Sequence, residues 1–231
     1  MTDHSWIERR YLAQDLLGAY KNCSFLIAAP GPSLPSDIWM RDQLCAQYTT
    51  FALTWAMRWA ETDLWLGMDH APIDAYFADP TADVALLPEK FWNWIKGRGE
   101  EDRGRLFRNG SFREGKLLYL GETESRLVTD AGSLAAAVSA AVVLSGGFCE
   151  IYLIGADGGL SRTGARHHAG LVRESDSFKD HLPHEYQFDK AAVAMERLHE
   201  ELDAMGIYHA NATPGSKIPG WPIIDPEDLL R

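Results

Sequence analysis

The sequence predicts an α/β protein: a Rossmann-like, doubly wound, mostly parallel sheet with a long mobile loop over its carboxyl edge. Three observations predict it. Ile151–Ile154, reading IYLI, is a short unbroken apolar run, the pattern of a strand buried on both faces. It follows a helix of small residues, Gly132–Leu144, stopped at Gly146 and Gly147, so that helix and strand form half of a doubly wound unit. A second buried run, Cys23–Ala29 (CSFLIAA), breaks at Pro30-Gly31-Pro32-Ser33-Leu34 and leads to a helix expected over Asp37–Ala46. Ligands of such sheets sit beyond the carboxyl ends of the strands, which points to the turn after each run: Gly31, Pro32 and Ser33 after the first, Gly155 and Asp157 after the second.

With 231 residues, 46% hydrophobic and 11% aromatic, the chain suits one large domain over 1–231 and excludes a disordered class. A net charge of −11 argues against a polyphosphate partner, so no nucleic acid is expected. No stretch approaches the roughly eighteen apolar residues of a membrane span, and residues 1–10 are polar rather than a signal sequence, so the expected location is cytoplasmic. Cys23, Cys45 and Cys149 lie far apart among apolar residues and read as buried free thiols.

In chain order, Ser5–Tyr20 has loosely helical apolar spacing and predicts an N-terminal helix. A strand, a Gly loop and then a helix form the arrangement in which loop amides and a helix N-terminus receive a phosphate. Gly31 would let the backbone approach the ligand and Ser33 would add a hydroxyl, although Pro-Gly-Pro-Ser is also ordinary turn chemistry. Tyr48–Leu53 is the next strand, with Thr54 at its carboxyl end and a helix expected over Met57–Glu61. Leu64–Leu66 follows and ends at Asp69 and His70, which could meet a ribose, a metal or a substrate, or stand in a solvated loop. Val84–Leu87 reads as a strand, Glu89–Lys96 as an aromatic helix, and 96–113 as a charged, glycine-rich lid or solvated loop before a strand at Lys116–Leu120.

Gly132 opens the small-residue helix, whose first-turn amides have no intrahelical acceptors. Beyond Asp157, residues 158–186 form a second candidate lid that holds His167, His168, His181 and His184, half of the chain's eight histidines. No His-x3-His or His-Glu-x-x-His spacing occurs, so no metal ligands are assigned. Asp189–Met205 is an amphipathic helix stopped at Gly206, Ile207–His209 a last strand, and the Pro-rich tail is expected to wrap the outside, with Ser216 and Lys217 exposed.

Three stretches together span most of the chain: Ile27–Leu34 (IAAPGPSL), the Gly132 helix running to Ile154-Gly155-x-Asp157, and His184 with Asp189 before a helix and strand ending at Asn211. In this order they resemble the superfamily of glycosyltransferase family 42 sialyltransferases and 6-hydroxymethylpterin diphosphokinase-like proteins, which includes small phage-encoded members. The resemblance implies that the Gly-Pro-Ser loop and the Gly-x-Asp turn line a nucleotide, and that His184 stands where the sialyltransferases keep a catalytic base. It also marks departures. Pro30 and Thr54 replace asparagines that contact the donor, and Asp130-Ala131 replaces a Thr-Ser pair that holds the sialic acid carboxylate, which an Asp would repel. The pterin relatives transfer diphosphate from ATP, for which Asp69, Asp130 and Asp157 could ligate Mg2+. The implied function is a nucleotide-dependent transferase moving a sugar or phosphoryl group from a nucleotide or nucleotide-sugar to a hydroxyl of a small-molecule or glycan acceptor. Gly31, Pro32, Ser33, Thr54, Asp69, Gly132, Gly155 and Asp157 would surround the donor. The alternative is a non-catalytic nucleotide-binding or assembly protein, with the Ala-rich helix at a homo-oligomer interface.

Overall fold

Short apolar runs bounded by Gly, Pro and polar turns become strands, because a strand covered by helices on both faces has no polar side to show. The computed structural model describes residues 11–12, 18, 20–79, 81–88, 118–120, 132–147, 149–159, 168, 171 and 184–231. Among them are β1 (Tyr11–Leu12), β2 (Ser24–Ala28), β3 (Thr49–Leu53), β4 (Thr62–Leu66), β5 (Ala82–Pro88), β6 (Leu118–Leu120), β7 (Glu150–Ile154) and β8 (Tyr208–Asn211). They form one sheet in the order β1-β6-β5-β4-β3-β2-β7-β8, and every pairing is parallel. The helices are α1 (Ile38–Gln47), α2 (His70–Ala78), α3 (Ser133–Ser145) and α4 (His184–Met205).

Side chains alternate across a strand, so each buried run feeds two cores. Phe25, Ile27, Phe51, Leu53, Leu64, Leu66, Ile151 and Leu153 meet α3 and α4 on one face. Leu26, Ala28, Ala52, Trp65 and Ile154 meet α1, α2 and the Trp55–Trp59 turn on the other, where Trp65 stacks on Tyr76 with ring centroids 3.9 Å apart. Helices on both faces of a parallel sheet make the fold doubly wound, as the sequence predicts. Helix α3 begins after Gly132 and ends at Gly146, which holds the left-handed φ of 70° that stops a helix. Its Ala135, Ala136, Ala137, Ala140 and Ala141 are buried in the core between the sheet and α4.

Three local expectations change. Tyr11–Leu12, inside the expected N-terminal helix, is extended and pairs with β6; the loose apolar spacing there never specified a helical face. Between β3 and β4 only 54–61 are available, too few for an α-helical crossover, and the chain makes a 3-10 turn over Thr54–Arg58 instead. Helix α4 starts at His184, ahead of the expected Asp189. The expected helix at 89–96, the lid at 96–113 and most of 158–186 lie outside the described residues. The three cysteines are free and partly buried. Among the described residues no helix is long and apolar enough to cross a membrane.

Candidate functional site

From β2 the sheet grows outward through β3, β4, β5 and β6, and β7 then returns to the other side of β2. The strand order therefore reverses between β2 and β7, and connections from their carboxyl ends leave toward opposite faces, opening a crevice there. Strand-like bonding continues past both ends: Ala29 N donates to Ile154 O at 2.8 Å and Gly31 N to Gly155 O at 3.0 Å. The turns Pro30–Ser33 and Gly155–Asp157 thus lie side by side at the switch point. Ser33 donates to Asp157 twice, from its amide to Oδ2 at 3.2 Å and from its hydroxyl to Oδ1 at 2.5 Å. A Cβ on Gly31 would collide with Asp157 Oδ2 and the Gly155 carbonyl, and one on Gly155 with the Ala29 carbonyl. The close backbone approach expected for a ligand is made here by the protein itself. Asp37 caps α1, its Oδ1 accepting from Met40 N at 2.7 Å. Carboxylates of the chain therefore already face the donors of the turn and of the helix, where the sequence suggested phosphate.

The remaining sequence candidates spread along the same edge. Thr54, buried at the end of β3, holds φ 45°, which is strained for a β-branched residue, and its carbonyl accepts from Trp65 Nε1 at 2.9 Å. Asp69 is exposed at the N-cap of α2 beyond β4, without a side-chain capping bond. Three strand spacings, about 14 Å, separate the ends of β4 and β7, which Asp69 and Asp157 follow. Asp130 lies outside the described residues. Gly132 caps α3 at φ 87°, and among the described residues nothing lies within 4 Å of where a Cβ would stand. His184 is the first residue of α4, which follows β7 and leads into β8; nothing of its side chain is described.

Several residues that were not assigned to the site from the sequence also reach this edge. His168 N donates to Pro30 O at 2.9 Å, and His168 Nε2 lies 2.8 Å from Ser36 Oγ. Its Nδ1 is buried with no hydrogen-bond partner among the described residues. Arg58 lies over the Trp55 ring and donates to Leu171 O at 2.5 Å. From the tail, Thr213 Oγ1 accepts from Ala156 N, Ser216 Oγ donates to Ala156 O, and Lys217 N donates to Asp157 O at 2.8 Å while its side chain lies over Gly159. The histidine-rich segment hinted at His168, but no spacing linked the tail to the Gly-x-Asp turn.

Fold and site together define a doubly wound parallel α/β protein with a glycine-turn crevice at its switch point. Comparison with protein-family models finds no match, and no curated protein matches the chain.

Proposed function

We propose that this chain is a nucleotide-dependent transferase that binds a nucleotide or nucleotide-sugar donor across the ends of β2 and β7 and passes a sugar or phosphoryl group to an acceptor hydroxyl. The observation that supports this most is the half-buried Asp157 carboxylate set between two interlocked glycine turns at the switch point. An acidic side chain beside such a crevice accepts hydrogen bonds from ribose hydroxyls. The exposed Lys217 ammonium, over Gly159, supplies charge for the donor phosphate, and a Mg2+ shared between phosphate and Asp157 would offset their repulsion. His184 at the head of α4 serves as base: its neutral ring accepts the acceptor's hydroxyl proton as that oxygen attacks the anomeric carbon or phosphorus, and the bond to the departing nucleotide breaks with its electron pair.

A second reading, nucleotide binding without catalysis, is favoured by the two Ser33–Asp157 bonds, which leave fewer unsatisfied donors for a substrate. Thermal shift and calorimetry with CMP, UDP, CMP- and UDP-sugars, GTP, and ATP with Mg2+ test both. We expect one nucleotide class to raise the melting temperature of the natural chain and to bind Asp157→Ala at least about tenfold more weakly. If no nucleotide binds, the proposal fails. His184→Asn separates the readings: retained affinity with turnover reduced by about a hundredfold marks a base, and unchanged turnover removes it.

A further inference from the structure

At the opposite edge of the sheet a second group of side chains converges, independent of the crevice. His209, the second residue of β8, is buried, and its Nδ1 lies 2.9 Å from Ile207 O. A carbonyl only accepts, so Nδ1 carries the proton and a neutral His209 presents its Nε2 lone pair. That lone pair faces His199 Nδ1 of α4 at 2.7 Å, which must then be the donor. The remaining His199 nitrogen, Nε2, faces Asp203 Oδ2 at 3.7 Å, and Asp203 Oδ1 is 3.9 Å from His209 Nε2. Neither separation is a hydrogen bond. With both rings neutral, a nitrogen lone pair confronts a carboxylate and the cluster lacks a cation.

We propose that His199, Asp203 and His209 bind one divalent transition ion of the zinc class, clamping the last turns of α4 to β8. The three ligand atoms lie within 4.8 Å of one another. Two imidazole nitrogens and a carboxylate oxygen suit zinc, whereas calcium and magnesium prefer oxygen alone. A backbone carbonyl that fixes the far nitrogen of a histidine is the usual outer partner of a metal-bound imidazole, and Ile207 supplies it. Two nitrogens about 2.1 Å from a tetrahedral ion stand about 3.4 Å apart, so the bridging proton of His199 must move from Nδ1 to Nε2, the other neutral tautomer, and the partly exposed ring must turn slightly. Asp203, 63% exposed, is free to close on the ion from the solvent side. Gly220 makes room: a Cβ there would stand 2.6 Å from His199 Cδ2. Trp221 walls the other side, edge-on to His209 with centroids 4.8 Å apart.

The test uses the full chain, stripped by chelator and dialysed, then titrated with Zn2+ against a chromophoric competitor and with Co2+ by visible absorption. We expect one tight equivalent, a tetrahedral-type Co2+ spectrum and a zinc-dependent rise in melting temperature. His209 is too buried for a safe substitution, so the variants are Asp203→Asn and His199→Ala, with circular dichroism to check folding. Affinity should fall at least about tenfold in each and the Co2+ bands should weaken. No stoichiometric binding by the natural chain overturns the proposal, as does wild-type affinity in His199→Ala.

Discussion

A side chain at position 31 has to displace Asp157 or push the Gly155 carbonyl out of the β2–β7 ladder. Gly31→Ala should therefore destabilise the protein by about 1–3 kcal/mol, read as a lowered urea midpoint, before any effect on ligands is considered. Unchanged stability would mean that the two turns separate freely. Thr54 illustrates the opposite situation. Glycine would relieve its φ of 45°, yet a threonine stands there, buried at the carboxyl edge. Strain kept at a strand end beside a crevice is where function is expected to hold a residue against local preference.

Helix α3 is pressed between β2, β3 and α4, and its alanines let all three approach closely. Small residues carry little apolar area each, so the helix is held by the closeness of its contacts rather than by large side chains. Ala136→Leu should cost about 1–3 kcal/mol through overpacking, with faster hydrogen exchange in β2 and β3. A neutral result would show unfilled space beside α3. At the far end of α4, His199 and Asp203 are one helical turn apart and on one face, so the helix itself builds two thirds of the proposed metal site.

For the whole molecule, burial makes stability depend on alkaline pH. Burial pushes the Cys45 thiol from its ordinary 9.0 up to about 11, outweighing the opposing effect of Arg41. Cys149 and Tyr48 are raised by burial too, and Tyr152 by burial and the neighbouring Glu150. Above pH 9 the unfolded chain releases a Cys45 proton that the folded chain keeps, so it binds fewer protons and stability falls until the folded thiol ionises near pH 11. Urea unfolding between about pH 8 and 11 should show this decline, and Cys45→Ala should flatten part of it. An identical slope in the variant would assign the loss to Cys149 and the tyrosines.

Much of the fold was legible because buried parallel strands leave a local mark: CSFLIAA and IYLI have no polar face, and the residues that stop them are Gly and Pro. That mark also identified the turns at the carboxyl edge, since a turn after a parallel strand has no other place to be. Local pattern does not carry the identity of distant partners. Ser33 and Asp157 are 124 positions apart, and only the strand order that seats β7 beside β2 aims that carboxylate at the turn and fills the expected phosphate cradle. The same holds for Lys217 and Thr213, brought to the crevice by β8, and for His168 against Pro30. His199 and His209 share no recognisable metal spacing because one lies on a helix and the other on the next strand. Their 2.7 Å approach exists only once α4 has packed back against the sheet.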